Sequence, residues 1–279
     1  MVRRKVEEVY VLNRQFLKRA LIMALPTCAI AFGVMLALIA CTGNLTSMAH
    51  SNDSQALQGQ RVFTVNSHMR QTVILRGNAG MMHVAVGAPG RVTIKYAVRH
   101  TGAGRPATVS YSHNARANSI TAREIDFPRV SSNSNDQVDF TVTVPVNTNL
   151  DFATSSGSII ATGTKGQVAL VTHAGNVSVD HMLVEGNSVL STQSGNVTLA
   201  GNVQIGSSCK IHTNAGTVSA FFPHSARLSI SASLALGTVT SDFPSVSPSS
   251  RGAVGSIGHA PYGYVLIDVQ VGTIAIHKI

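Results

Sequence analysis

The sequence predicts an all-β fold, a right-handed β-helix or β-solenoid, on three observations. Val, Thr, Ser, Gly and Asn are abundant, while charged residues make up only 12% of the chain and Trp is absent. That balance favours strands and turns over helices. A Thr-x-x-Gly-x-Val pattern recurs at nearly constant spacing through the second half. On both sides of each recurring glycine, apolar and polar residues alternate with the period of a strand. The alternative that fits the same pattern is an antiparallel β-sandwich in which each Ser-Gly-Asn is a hairpin turn.

Along the chain, residues 1–19 come first and carry Arg3, Arg4, Lys5, Arg14, Lys18 and Arg19 against Glu7 and Glu8, a net of +4. Residues 20–41, Ala20 to Cys41, are uncharged. At about 1.5 Å per residue this stretch spans the hydrocarbon layer of a bilayer, roughly 30 Å thick. Pro26 is tolerable in such a helix. Because the basic residues precede the span, the N-terminus is expected in the cytoplasm and residues 42–279 outside. The span ends Leu38-Ile39-Ala40-Cys41, which resembles a bacterial lipobox, so two readings stand: an uncleaved signal anchor, or a lipoprotein acylated at Cys41. Both tether the chain to the bacterial membrane. Residues 42–60 are polar, without periodicity, and read as a flexible stalk.

The domain over residues 61–279 holds the repeats. Thr154-Ser155-Ser156-Gly157-Ser158-Ile159 recurs as Thr172 to Val177, Thr192 to Val197 and Thr213 to Val218, with looser copies around Gly237 and Gly272. The glycines Gly157, Gly175, Gly195, Gly216, Gly237 and Gly272 lie 18, 20, 21, 21 and 35 residues apart. Aligned on them, Ile159, Val177, Val197, Val218, Val239 and Ile274 fall two residues after the glycine. Phe152, Leu170, Leu190, Ile211, Ala232 and Ile267 fall five before it. Each copy is therefore strand, corner, strand. Stacking the copies about 4.8 Å apart buries the apolar columns and puts the glycines at one corner. The Thr154, Thr172, Thr192 and Thr213 column predicts a hydroxyl ladder, and Asn176 over Asn196 an amide ladder. The stretch from Ser241 to Val265, rich in Ser, Pro and Gly, reads as a loop from one rung, either a tolerated insertion or a binding loop. Residues 61–149 show no clean repeat, with strands expected at Val73–Leu75, Met82–Val86, Val92–Val98 and Val138–Val144.

These residues resemble a known family. Val138-Asp139-Phe140-Thr141-Val142-Thr143-Val144-Pro145, then Asn147-Thr148-Asn149-Leu150 and the serial Thr-x-Ser-Gly-x-Val copies, are similar to DUF4097, a family of candidate bacterial adhesins. The resemblance spans roughly residues 60–278. It implies a β-helical extracytoplasmic domain with a structural or adhesive role. Some relatives of that kind serve envelope-stress systems, which supplies a second reading: a sensing accessory that binds a protein or lipid. Where that family often has Asp after the glycine, this chain has Ser, Asn or Thr.

Chemistry is sparse. The domain beyond the anchor carries ten acidic residues, mostly isolated, and a glycan-active β-helix enzyme needs them clustered. Asp136 and Asp139, with Glu124 and Asp126 nearby, come nearest to a cluster and are read as solvated surface groups. No HExxH or GxSxG motif occurs, and the His residues are dispersed, so neither catalytic residues nor a metal or cofactor site are expected. His173 and His212 are read as surface residues, and Cys209, in an apolar column, as core. The thinly spread charge lacks a basic run with interleaved aromatics, so nucleic acid is not an expected partner. The partners left are the membrane, cell-wall or extracellular glycans, and an envelope protein.

Overall fold

The computed structural model describes residues 56–101, 105–126 and 135–279. The expected anchor over Ala20 to Cys41 and the acylation at Cys41 lie outside the described residues, as does most of the expected stalk. The described residues contain nineteen strands and no helix. The first seven are β1 (Ala56–Thr64), β2 (Gln71–Ala79), β3 (Met82–Val86), β4 (Arg91–Thr101), β5 (Thr108–Asn114), β6 (Ser119–Ile125) and β7 (Asn135–Val144). The repeat region supplies β8 (Thr148–Ser156), β9 (Ile159–Thr162), β10 (Lys165–Gly166), β11 (Val168–Ala174), β12 (Val177–Val184), β13 (Asn187–Ser194), β14 (Val197–Val203) and β15 (Ser208–Phe222). The chain closes with β16 (Leu228–Ser241), β17 (Val246–Ser249), β18 (Gly252–Ile257) and β19 (Gly263–Lys278). β1 begins inside the segment expected as a stalk.

Neighbouring copies pair in parallel, which rules out the antiparallel sandwich for the repeats. On one face β8, β11, β13 and the first half of β15 stack in turn, with Phe152, Leu170, Leu190 and Ile211 in register. On the next face β9, β12, β14 and the second half of β15 do the same, with Ile159, Val177, Val197 and Val218 in register. A short third side carries Lys165, Leu183 and their neighbours. The apolar columns point inward. Phe152, Leu170, Leu190, Ile211, Val197 and Leu199 are all fully buried. Each such side chain contributes roughly 1.5–3 kcal/mol by leaving water. Cys209 sits among them, and burial pushes its thiol pKa up to about 12, so it is an inert core residue.

Between the first two faces the chain turns on a glycine column. Gly157, Gly175, Gly195, Gly216, Gly237 and Gly272 have φ between +137° and +151°. A Cβ on any of them would lie 1.7–2.2 Å from the carbonyl oxygen of the glycine one rung away. The backbones at this corner are thus too close for any side chain. The flanking threonines fasten it. The hydroxyls of Thr172, Thr192 and Thr213 donate to the carbonyls of Gly157, Gly175 and Gly195 at 2.9–3.2 Å, so the ladder runs from hydroxyl to backbone, not from hydroxyl to hydroxyl. The asparagines act alike: Asn176 Oδ1 accepts from the N–H of Asn196, and Asn196 Oδ1 from that of Thr217, both at 2.9 Å.

Two features of the stack depart from the sequence reading. First, the segment before residue 150 contains a complete rung. β2 pairs in parallel with β8 and β3 with β9, and Gly80 lies directly beneath Gly157 in the corner column. Beyond this rung, β6 extends the first face in parallel and β5 joins it antiparallel, while β7, β4 and β1 extend the second face, the last two through antiparallel pairs. Second, the rungs do not stack in chain order. β19 lies between β15 and β16, so Gly272 sits over Gly216 and Gly237 over Gly272. The stretch from Ser241 to Val265 is therefore not a plain loop. Its strands β17 and β18 pair antiparallel, and β18 covers the first half of the edge of β16, Leu228–Ser233, burying Phe243, Val246 and Ile257. An exposed parallel rung is a template for aggregation, and a terminal cap of this kind shields that half of it. Pro248, which has no N–H to donate, lies in the outermost strand β17, where none is needed.

Candidate functional site

Strand pleating sends every second side chain outward. On the first face, the position two residues before each corner glycine forms a row: Asn78, Ser155, His173, Gln193, Asn214 and Gln270, ending on Ala235 of β16. The strands carrying these residues are paired in parallel and in register, with threonine opposite threonine from Thr154 to Thr213 and Gly77 and Val269 in the same places at the two ends. All but Asn214 are exposed, and Asn214 is half-buried. The row presents amides, a hydroxyl and an imidazole at about 4.8 Å steps. His212, two residues before Asn214 on the same outward side, bridges this row to its neighbour. Its Nε2 lies 2.9 Å from Asn214 Oδ1 and its Nδ1 3.2 Å from Asp268 Oδ2. His173 and His212 thus both belong to the outer face, in different rows.

At the β6 end of the row the surface deepens into an open groove of about 770 Å³, lined by Arg76, Asn78, Arg123, Asp126, Ser155 and His173 among others. The Arg76 guanidinium is held by Asp151 at 2.7 Å and by two backbone carbonyls. Asn78 donates its amide to Asp126.

The four carboxylates singled out in the sequence do not form one constellation. Asp136 and Asp139 lie on β7 and are taken up by β4: Asp136 by His100 Nδ1 at 2.6 Å, Asp139 by Arg99 at 2.6 Å and by the N–H of Met81 at 2.8 Å. Glu124 and Asp126 lie at the end of β6. Glu124 is not a solvated surface group, since only 5% of it is exposed. Alternation along β6 turns it inward, one residue past the Arg76–Arg123 pair, at the end of the column that threonines occupy in later rungs. Gly77 lacks the side chain that would fill this place, and Glu124 folds over it to accept the N–H of Asn78 at 2.6 Å. Burial pushes its pKa from 4.5 up to about 7; the Asn78 bond opposes the rise and Asp126 adds to it.

The folded chain therefore holds a proton that the unfolded chain releases near pH 4.5. The stabilising contribution is complete below about 4.5 and is lost as pH rises through about 7. Relative to Glu124→Gln, the native chain is expected to lose about 1–2 kcal/mol over that window, allowing for water at the end of the stack. Thermal melts of both proteins at pH 4.5, 6 and 8 check this. Parallel pH profiles would place the carboxyl in solvent.

Among the described residues, no group of three or more His, Cys, Asp or Glu side chains is arranged to hold a metal ion. The described residues thus form a parallel β-solenoid with antiparallel strands at both ends and a polar, weakly charged outer face. The chain belongs to the DUF4097 family, described as Toastrack DUF4097, whose sequence pattern matches residues 111–277. Among solved structures it is similar to a candidate cell adhesion protein from Clostridium sporogenes, at 14% identity and a TM-score of 0.48, over 80% of this chain and 100% of that one. It is also similar to a candidate adhesin from Bacteroides fragilis, at 12% identity and 0.28, over 80% and 97%. A candidate adhesin from Parabacteroides distasonis follows, at 10% and 0.29, over 82% and 98%. No curated protein matches the sequence.

Proposed function

We propose that this chain is a membrane-tethered, extracytoplasmic β-repeat protein that acts by surface contact, in a structural or adhesive role, and not by catalytic turnover. The outward row from Asn78 to Gln270 carries the proposal. It offers hydrogen-bonding groups at the strand repeat, suited to a chain-like ligand that makes many weak contacts, so that avidity replaces single-site affinity. The carboxylates that an enzyme would need are engaged with Arg99, His100 and Asn78 instead. Family membership and the uncharged stretch before residue 42 support placement outside the cytoplasmic membrane.

A second reading, an accessory that binds an envelope protein, draws on one observation. Val254, Tyr264 and Leu266 are 47–67% exposed on the outward side of β18 and β19. Side chains of this kind fit a protein partner better than a glycan.

The test begins with topology. Protease added to intact protoplasts is expected to digest residues 42–279, and protection until lysis would overturn the placement. The full-length chain in mild detergent is then applied to peptidoglycan, teichoic-type polymers and polysaccharides, with retention and product release both measured. Retention without release is expected. Release of reducing ends or unsaturated sugars that disappears on mutating one carboxylate would make the protein an enzyme.

A further inference from the structure

The groove at the β6 end of the first face contains an arrangement that the stack itself does not need. Arg76 on β2 and Arg123 on β6 occupy directly opposed positions on adjacent parallel strands, both on the outward side. Like charges so placed disfavour the pairing of their strands. Asp151 neutralises Arg76 at 2.7 Å, but Arg123 has no ion-pair partner among the described residues. The same outward row continues through Ala153 on β8 and Val171 on β11, which are small and apolar, and begins at Ser110 on β5. The parallel row beside it brings Ile125, Asn78, Ser155 and His173 to the same groove.

The groove therefore has three distinct parts: an unpaired guanidinium at one end, an apolar shelf of Ala153 and Val171, and a polar flank of Asn78, Ser155 and His173. Three strand steps of about 4.8 Å carry it roughly 14 Å from Arg123 to Val171, enough for a short run of sugar rings. A glycan ring has apolar C–H faces and hydroxyl edges, which match the shelf and the flank. A guanidinium is the preferred partner for a carboxylate or phosphate oxygen pair. Glu124 and Asp126 also line the groove at this end, but both are taken up by Asn78, through its backbone N–H and its amide, and neither pairs with Arg123.

We propose that this groove binds an anionic glycan, seating a carboxylate or phosphate on Arg123 and sugar hydroxyls along Asn78, Ser155 and His173. The proposal rests on the surface-contact reading and gives it a ligand class and a place.

The test uses the full-length chain in mild detergent at about 0.15 M salt. Four surfaces are compared: polygalacturonate for the carboxylate source, polyglycerol phosphate for the phosphate source, neutral dextran, and mixed micelles carrying phosphatidylglycerol. The variants are Arg123→Gln, Arg123→Lys, and Arg251→Gln, which removes the same charge from the exposed turn between β17 and β18. The native chain is expected to be retained on at least one acidic polymer well above dextran, and which one identifies the anion. Arg123→Gln should weaken that retention about tenfold, Arg123→Lys less, and Arg251→Gln not at all, with unchanged melting temperatures. Equal losses in Arg123→Gln and Arg251→Gln would reduce the effect to net charge and overturn the site. Micelle capture stronger than either polymer, with the same dependence on Arg123, would assign the groove to a lipid headgroup and overturn the glycan. Retention on dextran as strong as on the acidic polymers would overturn the groove while leaving the surface-contact reading in place. Retention on no polymer would overturn both for glycans.

Discussion

Gly195→Ala is expected to destabilise the protein by about 4 kcal/mol or more, enough to unfold most of it at moderate temperature. Gly195 has φ +145°, in a region that side-chain-bearing residues rarely enter, at a cost of roughly 1–3 kcal/mol by itself. The larger penalty is steric. The new Cβ would lie 2.1 Å from the carbonyl oxygen of Gly175, and that atom is backbone, so it cannot swing aside. Relief requires the rungs to separate. The same carbonyl accepts the Thr192 hydroxyl at 2.9 Å, and the adjoining bonds Gly175 N–H to Ser194 and Gly195 N–H to Ala215 are both 3.0 Å. Parting the rungs weakens all of them, each contributing about 1 kcal/mol. Gly206→Ala is the control. Gly206 also has positive φ, +80°, but a Cβ there meets nothing within 4 Å. Its cost is expected near 1 kcal/mol. Denaturant melts of the two variants separate the corner's close approach from simple loss of glycine's conformational freedom. Similar midpoints for both would mean that the rungs are not in contact at the corner.

The columns were legible in the sequence because strand alternation and a steric marker coincide. A glycine too close to the next rung for any side chain recurs, in four of the six copies three residues after a threonine, so alignment on the glycine assigned the inward columns of the repeats from Gly157 onward. The rung at Gly80 lacks the second marker. Gly77 stands where later rungs have threonine, and Gly80 is 77 residues from Gly157, so the spacing breaks as well. The order of the stack was not legible for a different reason. Rungs with equivalent apolar columns can lie beside one another in any order, and periodicity assigns faces without assigning neighbours. Here the hairpin of β17 and β18 decides the order. By pairing with the free edge of β16 it makes that rung terminal, and the last strand must then enter between β15 and β16.

The acidic residues show a similar limit. Glu124 looks like a surface residue by type, and only its place one residue past the Arg76–Arg123 pair, with its carboxylate beside Gly77, reveals that it faces inward to fill a missing side chain. The groove combines residues from β2, β5, β6, β8 and β11. The strands β5 and β6 belong to an end of the stack that shows no repeat in the sequence. Arg76 and Arg123 are 47 residues apart and become neighbours only through the parallel pairing of β2 with β6.

Val197→Asp is expected to cost about 4 kcal/mol, while Asn196→Asp, one residue away, stays within about 0.5. Val197 is fully buried, with Val177 on one side and Val218 on the other in the same column. A carboxylate in that place has no cation and no free donor to meet it, because the backbone N–H groups around it are already committed to the strand ladders. It either remains charged at the cost of desolvation or takes up a proton with a strongly raised pKa, and both outcomes destabilise the fold at neutral pH. The second outcome leaves a signature: the destabilisation of Val197→Asp shrinks as pH falls towards 4, while that of Asn196→Asp does not. Asn196 presents the opposite case. Its side chain is exposed, and its Oδ1 accepts the N–H of Thr217 at 2.9 Å, a task that an aspartate oxygen performs equally well. The same geometry makes Asp acceptable after the corner glycine: the position asks for an acceptor one rung away, not for an amide. Urea melts of the two variants at pH 7 and pH 4.5 measure the difference. Equal midpoints at pH 7 would mean that Val197 does not point into the stack, and the inward columns would have to be reassigned to the opposite face.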